Sequence, residues 1–507
     1  SFHNGEIRSR IIDTTLTNST LDGFSWVTRK PYGKELLNFD SAIRNETTAT
    51  YPGFTQTSLM NNLVGLWHFN EGAANAGPSG TDFKDDSGQN NNANDAGTVY
   101  YGHAGRLSNS VLFKGAGSLN LGPANALSFG TSNFSAAFWV KTNQKFNSAS
   151  SRIISNGFAG ATNGWMVQLR DSHPAFGIGC AGGNATNCTY IKADKAINDG
   201  AWHHVAVVAD RTNSLMKIFV DGVQRTPAAI VGTGECGAIS GMDWSISGCS
   251  TLNASRTYTD TLIGMGQSSS QYFWGQLDEL AVWGKALNAT DIKELYLRGG
   301  VRMGLQVRTC DDANCVGESW TGPDGTNQTY FTEVHNNTAP TTALGSVKTG
   351  QLSVNFSNFP SMALPTGRWF QYKMFLENED FNNLCNYGSA EYCSPEVTSV
   401  TLGLSSYYNA TQPAIVSENA IAFYSISSMT ESLGTNSCAG GVRYQLSVNK
   451  TNWFYWTGTA WSASNNSYAQ ANPIATINSQ ASLFAGQVGR TSLYIKAILN
   501  SNGRQAC

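Results

Sequence analysis

The residues best suited to chemistry in this sequence are its cysteines, one oxygen-rich turn and a cluster of tryptophans. The ten cysteines run in the order Cys180, Cys188, Cys236, Cys249, Cys310, Cys315, Cys385, Cys393, Cys438 and Cys507. The first eight fall into four neighbouring couples, and short loops such as CAGGNATNC and CDDANC are what stapled hairpin tips look like. We expect bridges Cys180–Cys188, Cys236–Cys249, Cys310–Cys315 and Cys385–Cys393, with Cys438–Cys507 as the one long bridge; order alone does not fix the connectivity. Cys310 and Cys315 also have a zinc-like spacing, but no second close pair with histidine lies at a matching separation. An even cysteine count in a chain of low charge points to an oxidising compartment.

The stretch DDSGQNNNAND at 85–95 gathers carboxylates and amides in turn-rich sequence, which suits a hard, oxygen-seeking cation. The same residues would serve equally well as turn caps. Paired carboxylates for glycoside chemistry would need to share one strand face. In LDEL, Asp278 and Glu279 are consecutive and so point to opposite faces. His203 and His204 are consecutive too, which denies them a common metal. The seven histidines are scattered, and the chain has no G-x-S-x-G elbow, H-E-x-x-H or phosphate-binding loop. The sequence therefore reads as non-enzymatic. TNWFYWTGTAWSASNNSYAQ places Trp453, Trp456 and Trp461 around a TG turn. Such a hairpin is either a sugar platform or the filled edge of a small core, since alternate residues must face inward. Trp165, Tyr272 and Phe273 are further aromatic candidates, more readily read as core or sheet surface.

The elements that position these residues are mostly strands. SAAFWVKT, GWMVQLRD, AWHHVAVVAD and LMKIFVDGV are short apolar or alternating runs closed by turn residues. RWFQYKMFLE alternates cleanly, with Phe370, Tyr372, Met374 and Leu376 on one face. NATDIKELYLRGG is the one convincing helix, with Ile292, Leu295 and Leu297 as its apolar cluster and the glycine pair as its stop. The class is all-β. Charged residues make up only 13% of the chain, so its polar surface must come from Asn, Ser, Thr, Gln and Gly, as suits a secreted protein. A net charge of −3 with no basic block gives no reason to expect nucleic acid. No run approaches the length of a membrane-spanning helix. Neither a signal peptide nor a lipidation motif is visible.

From about 55 to 300, LVGLWHFNEG, KDDSGQNNNANDAG, VLFKGAGSLNLG, AAFWVKTN, AWHHVAVVAD, KIFVDGV and FWGQLDELAVWGKALNATDIKELY follow in order. Together they resemble a laminin-G-like, concanavalin A-like jelly roll of the bacterial type. That resemblance implies two antiparallel sheets whose opening and closing strands meet. The residues themselves agree, since Trp67, Phe138, Trp139, Trp202, Phe219, Trp274 and Trp283 supply large apolar faces for a sandwich core. The resemblance also implies a calcium ion near the oxygen-rich turn, with Asp86, Asn90 and Asp278 as the matching ligand positions.

The flanking segments EIRSRIIDTT…DGFSWVTRKPYGKEL, LQVRTCDDANC…SWTGPDG, GRWFQYKMFLENED and SPEVTSVTLG resemble a β-sandwich module of large bacterial cell-surface, adhesin or pilus-like proteins. We therefore expect a host sandwich from residues 1–50 plus 301–407, the jelly roll at 55–300 inserted into it, and a C-terminal β-rich module at 410–507. The resemblance implies a non-catalytic extracellular structural or adhesive protein at the cell surface. A pilin-like filament subunit that self-assembles or meets other surface proteins is its specific form. The alternative is a carbohydrate-binding protein, or an accessory module of a polysaccharide-degrading system, with a glycan as partner.

Overall fold

The computed structural model describes residues 2–14, 21–39, 51–53, 59–72, 82–123, 125–144, 150–157, 163–179, 188–229, 236–255, 260–266, 271–332, 346–348, 351–355, 364, 367–379, 382, 394–404, 412–431 and 441–500. Sixteen strands from Leu63–Trp67 to Trp274–Trp283 form one antiparallel network, rolled so that one face packs on itself as the inner core. Trp274–Trp283 is its hub. This strand pairs with Leu63–Trp67, with Asn109–Asn120 and with Phe134–Lys141. The opening and closing strands of the jelly roll are thus hydrogen-bonded neighbours, with Trp67 opposite Leu280.

The inner core is built from alternate residues of facing strands, among them Trp67, Phe134, Phe138, Val140, Trp165, Phe176, Val205, Val207 and Leu277. The other face of the same strands carries Phe219, Ala281 and Trp283, and these pack on Leu36, Tyr51, Leu287, Ile292 and Leu295. Trp139 and Trp202 join Tyr32, Tyr296, Leu297 and Val301 in a third group. Trp274 departs from expectation: it is 51% exposed. Its indole lies over Gly115, where a Cβ would come within 1.5 Å of the ring nitrogen, so the glycine lets the ring lie flat on the outside of the sheet.

Helix α1, Ala289–Gly300, is opened by a reciprocal capping box between Asn288 and Asp291. Its glycine pair does not stop it. Gly299 and Gly300 form its last turn, and side chains there would meet Trp139 and Tyr296 at 2.6 and 2.7 Å. The helix runs straight into the strand Val301–Cys310. A second helix, α2 at Ile474–Gln487, was not expected from its Asn-, Ser- and Gln-rich sequence; it buries Ile477, Ala481, Phe484 and Ala485 on one stripe.

Outside the jelly roll, Trp369–Glu379 is flanked by Val301–Cys310 on one side and by Phe2–Arg8 and Ile12–Asp13 on the other. A second sheet runs Ser346–Lys348, Gln351–Asn355, Leu21–Thr28, Val397–Leu404. Both sheets therefore contain strands from before and after the jelly roll. Phe24 and Trp26 of one sheet pack against Met303, Leu305, Val307, Phe370 and Met374 of the other, with Phe331 between. Phe370, Tyr372, Met374 and Leu376 do share the inward face. The C-terminal region forms a five-stranded sheet from Ala414–Val416, Tyr494–Leu499, Val442–Ser447, Phe454–Trp456 and Trp461–Ala463, covered by α2.

Disulfides join Cys236 to Cys249 and Cys310 to Cys315, so the zinc reading of the latter pair falls. Cys188 is disulfide-bonded as well. Cys180, Cys385, Cys393, Cys438 and Cys507 lie outside the described residues. Among the described residues, no helix is long and apolar enough to cross a membrane.

Candidate functional site

A buried group of titratable side chains sits where the segment 30–39 meets the hub strand. That strand carries a register shift between Asp278 and Ala281, and Glu279 there takes the left-handed conformation (φ 51°). The bulge lets both carboxylates be buried, Asp278 at 0% and Glu279 at 7% exposure, although they are consecutive. Glu279 meets His68, which follows the opening strand. One imidazole nitrogen, Nδ1, bonds Glu279 Oε1 and the other, Nε2, bonds Asn38 Oδ1 at 3.1 Å. Both partners are acceptors, so both ring nitrogens donate and the ring is an imidazolium. Burial alone would push this histidine down; the charge and hydrogen bond of Glu279, helped by Glu35 and Asp86, outweigh it and push it up to about 10.

Glu35 completes the group. It is 1% exposed, accepts from Asn70 Nδ2 at 2.8 Å, and its other oxygen is buried with no hydrogen-bond partner. Burial first, then repulsion from Glu279, raises it to about 7 against the pull of His68. One ligand atom from each of Glu35, His68 and Glu279 lies within 4.8 Å of the others. The set could hold a metal by distance. By chemistry it suits a proton better than calcium, because a hard cation would have to displace an imidazolium with a nitrogen donor. The site is closed to solvent, and the arrangement compensates charge rather than presenting a reactive atom.

The expected calcium positions have separate duties. Asp86 takes an ion pair from Lys84 Nζ at 2.6 Å, and Asn90 sits exposed in a left-handed turn (φ 58°). Asp278 Oδ2 accepts the backbone N–H groups of Arg106 and Leu107 at 2.6 and 2.8 Å, while its Oδ1 is buried without a hydrogen-bond partner. Burial, with Glu279 and Glu35 nearby, holds Asp278 well above the usual carboxylate range. Asp85, which the sequence did not single out, organises the turn: it accepts from the backbone of Leu66, Ser87 and Asn91 at 2.8–2.9 Å. Of the expected ligand positions, only Asp278 leaves a buried oxygen, Oδ1, without a hydrogen-bond partner.

The other candidates are mostly structural in placement. His203 is held between Asp221 and Asp199 at 2.9 and 3.0 Å, and His204, on the opposite face, packs against Trp139. Burial pushes His204 down to about 3. Trp453 is 6% exposed beneath Lys496 Nζ, 4.1 Å from the ring. Trp461, also 6% exposed, donates Nε1–H to Gln480 O at 3.1 Å and sets its edge on Phe484. Trp456 is half-buried at its side, 6.0 Å between ring centres. Trp165 and Phe273 are fully buried and Tyr272 is half-buried.

Residues 113–293 match a laminin-G family model described as the concanavalin A-like lectin/glucanases superfamily. Comparison with curated proteins yields no match. Among solved structures, the binding domain of Paraclostridial Mosquitocidal Protein 1 is 16% identical, with a TM-score of 0.31; the alignment covers 52% of this chain and 64% of that one. Domain 4 of an extracellular arabinanase from Geobacillus stearothermophilus, in complex with arabinotriose, is 17% identical with a TM-score of 0.33, over 46% of this chain and 98% of that one. The binding domain of botulinum neurotoxin serotype D is 14% identical with a TM-score of 0.34, over 51% and 55%. The central unit of this chain is a jelly roll of concanavalin A-like fold, similar over residues 113–293 to the laminin-G family model, and it lies in sequence between strands of a second β-sandwich.

Proposed function

We propose that this chain is a non-catalytic extracellular structural or adhesive protein of the cell surface, in its specific form a subunit of a surface filament. Its host sandwich takes strands from residues 1–50 and 301–407, and the jelly roll is the guest it displays. The observation that carries this reading is the strand pairing. Phe2–Arg8 and Leu21–Thr28 are zipped to strands that follow the jelly roll, so both ends of the guest are pinned to one body. Lys30 paired to Glu294 at 2.6 Å, and Gly33 N–H donating to Arg298 O, tie the entry segment to the exit helix. A module fixed at both ends bears load and presents its loops in a set direction, as a fibre or adhesin requires. The low charge and the disulfides agree with an oxidising, extracellular setting. Immunogold labelling of the native source is expected to decorate surface fibres, with homopolymers visible in negative stain. A soluble, monomeric protein overturns the filament form.

Calcium belongs to this reading as a structural ion of the jelly roll, with Asp86, Asn90 and Asp278 as its proposed ligands. It would supply positive charge to the orphan Asp278 oxygen and perform no chemistry. Millimolar calcium is expected to raise the melting temperature of the wild type by several degrees and to leave Asp278→Asn unchanged. Identical melting with calcium and with chelator overturns the proposal and leaves His68 as the cation of this region.

A further inference from the structure

A cleft of about 490 Å³ lies at the junction of jelly roll and host sandwich. Sites for small ligands typically measure ~300–1,000 Å³ and favour such junctions. Its floor is the outward face of two paired strands, where Arg302 stands opposite Glu377 and Gly304 opposite Phe375. Its wall on one side is Tyr330, on the other the jelly-roll turn that carries Arg106 and Ser108.

We propose that this cleft is a binding site for a neutral pyranose of a glycan. The inference rests on the adhesive reading above and gives that reading a ligand. Tyr330 is 39% exposed and meets Phe375 edge-on at 4.7 Å, so an aromatic surface is held rigidly at the cleft. Gly304 is what allows this: a Cβ there would lie 3.0 Å from that of Tyr330 and push the ring off the sheet. Beside the rings, Arg302 Nη2 pairs with Glu377 Oε2 at 2.8 Å, both side chains part-exposed, at 28% and 37%. A pyranose has an apolar C–H face bordered by hydroxyls, each of which donates and accepts. A flat ring next to a carboxylate and a guanidinium answers both features.

The charges in the cleft cancel in pairs. Arg302 is matched by Glu377, and Arg106 is matched by Glu379 while donating to Gly299 O. No net charge remains to draw an acidic sugar, and hence the ligand is neutral.

The test uses the full chain on an array of neutral and acidic oligosaccharides, followed by calorimetry with the best neutral hit. Tyr330→Ala and Glu377→Gln are each expected to weaken binding at least tenfold, with wild-type melting; the isosteric Glu377→Gln guards against a folding artefact at Tyr330. Trp456→Ala is expected to bind as wild type. If neutral glycans bind and both cleft variants bind equally well, the assignment to this cleft is overturned while the adhesive reading stands. Binding of acidic glycans alone overturns the neutral ligand. If no glycan binds and fibres still form, the cleft inference fails and the filament reading survives it.

Discussion

Deleting residues 2–28 is expected to unfold the sandwich built from residues 301–404 while the jelly roll keeps its fold. Leu21–Thr28 lies between Gln351–Asn355 and Val397–Leu404, so its removal strips one ladder from each. Phe24 and Trp26, 2% and 1% exposed, stack at 5.2 Å, and Phe24 meets Phe331 edge-on. Loss of a buried aromatic side chain costs about 3–5 kcal/mol. Trp26→Ala alone would therefore consume much of the ~5–15 kcal/mol that holds a typical domain together. The deletion removes Phe24 as well, together with the edge strand Phe2–Arg8, and no sandwich should survive it. The cut belongs at residue 28. Residues 30–38 are buried against the jelly roll, where Tyr32 and Leu36 fill its outer clusters, and a deletion reaching residue 35 would damage both bodies. Hydrogen exchange checks this directly. Amides of 369–379 and 397–404 should lose protection, and those of 134–141 and 202–210 should keep it. Unchanged protection in the first set would show that the leading strands are not part of that sandwich.

Much of this architecture was legible because period-2 patterning survives in any context. RWFQYKMFLE announced its inward face, and the ordered signatures of the jelly roll announced a sheet whose ends meet. What failed did so for local reasons. Trp274 was read as core because large aromatics usually are; the glycine at 115 that gives it an outside berth is distant in sequence. Helix α2 has neither a side-chain cap nor an acid in its first turn, so only tertiary burial of Phe484 and its neighbours reveals it. The candidate site suffered most. Strict alternation separates Asp278 from Glu279, but the bulge at Glu279 breaks that alternation, and a bulge has no signature in a single sequence. Glu35 is invisible for a different cause: nothing in PYGKELLNFD says that it will be laid across a strand more than two hundred residues away. The pairing of LWHFNEG with LDEL was the one available hint that His68 and Glu279 would be close.

That cluster yields the second large effect. Glu279→Gln is expected to destabilise the protein by about 3–5 kcal/mol at pH 6, the usual cost of leaving a buried charge without its partner, and by distinctly less at pH 10. The sign follows from linkage. His68 is raised to about 10 in the folded protein against 6.5 when unfolded, so its pairing stabilises fully below pH 6.5 and is lost as pH rises through 10. Glu35 pulls the same way. Raised from 4.5 to about 7, it stabilises the folded state fully below pH 4.5, and that contribution is lost as pH rises through 7. The groups facing His68 are Glu35, Glu71, Glu279 and Asp86, with Asn38 on its far nitrogen; Arg298, which donates to Glu35 O, is the nearby cation on α1. In the variant, the imidazole loses its strongest counter-charge and sheds its proton on folding, while Glu35 is relieved of a repulsive neighbour. The curve of stability against pH should therefore flatten and converge on the wild type at the alkaline end. Urea midpoints at the two pH values, in chelator so that no divalent ion contributes, measure this. An equal loss at both would mean that the glutamate acts only through shape and through its bond from Leu36 N–H. Replacing His68 by Gln as well should recover part of the deficit at pH 6, because the double variant buries no unpaired charge.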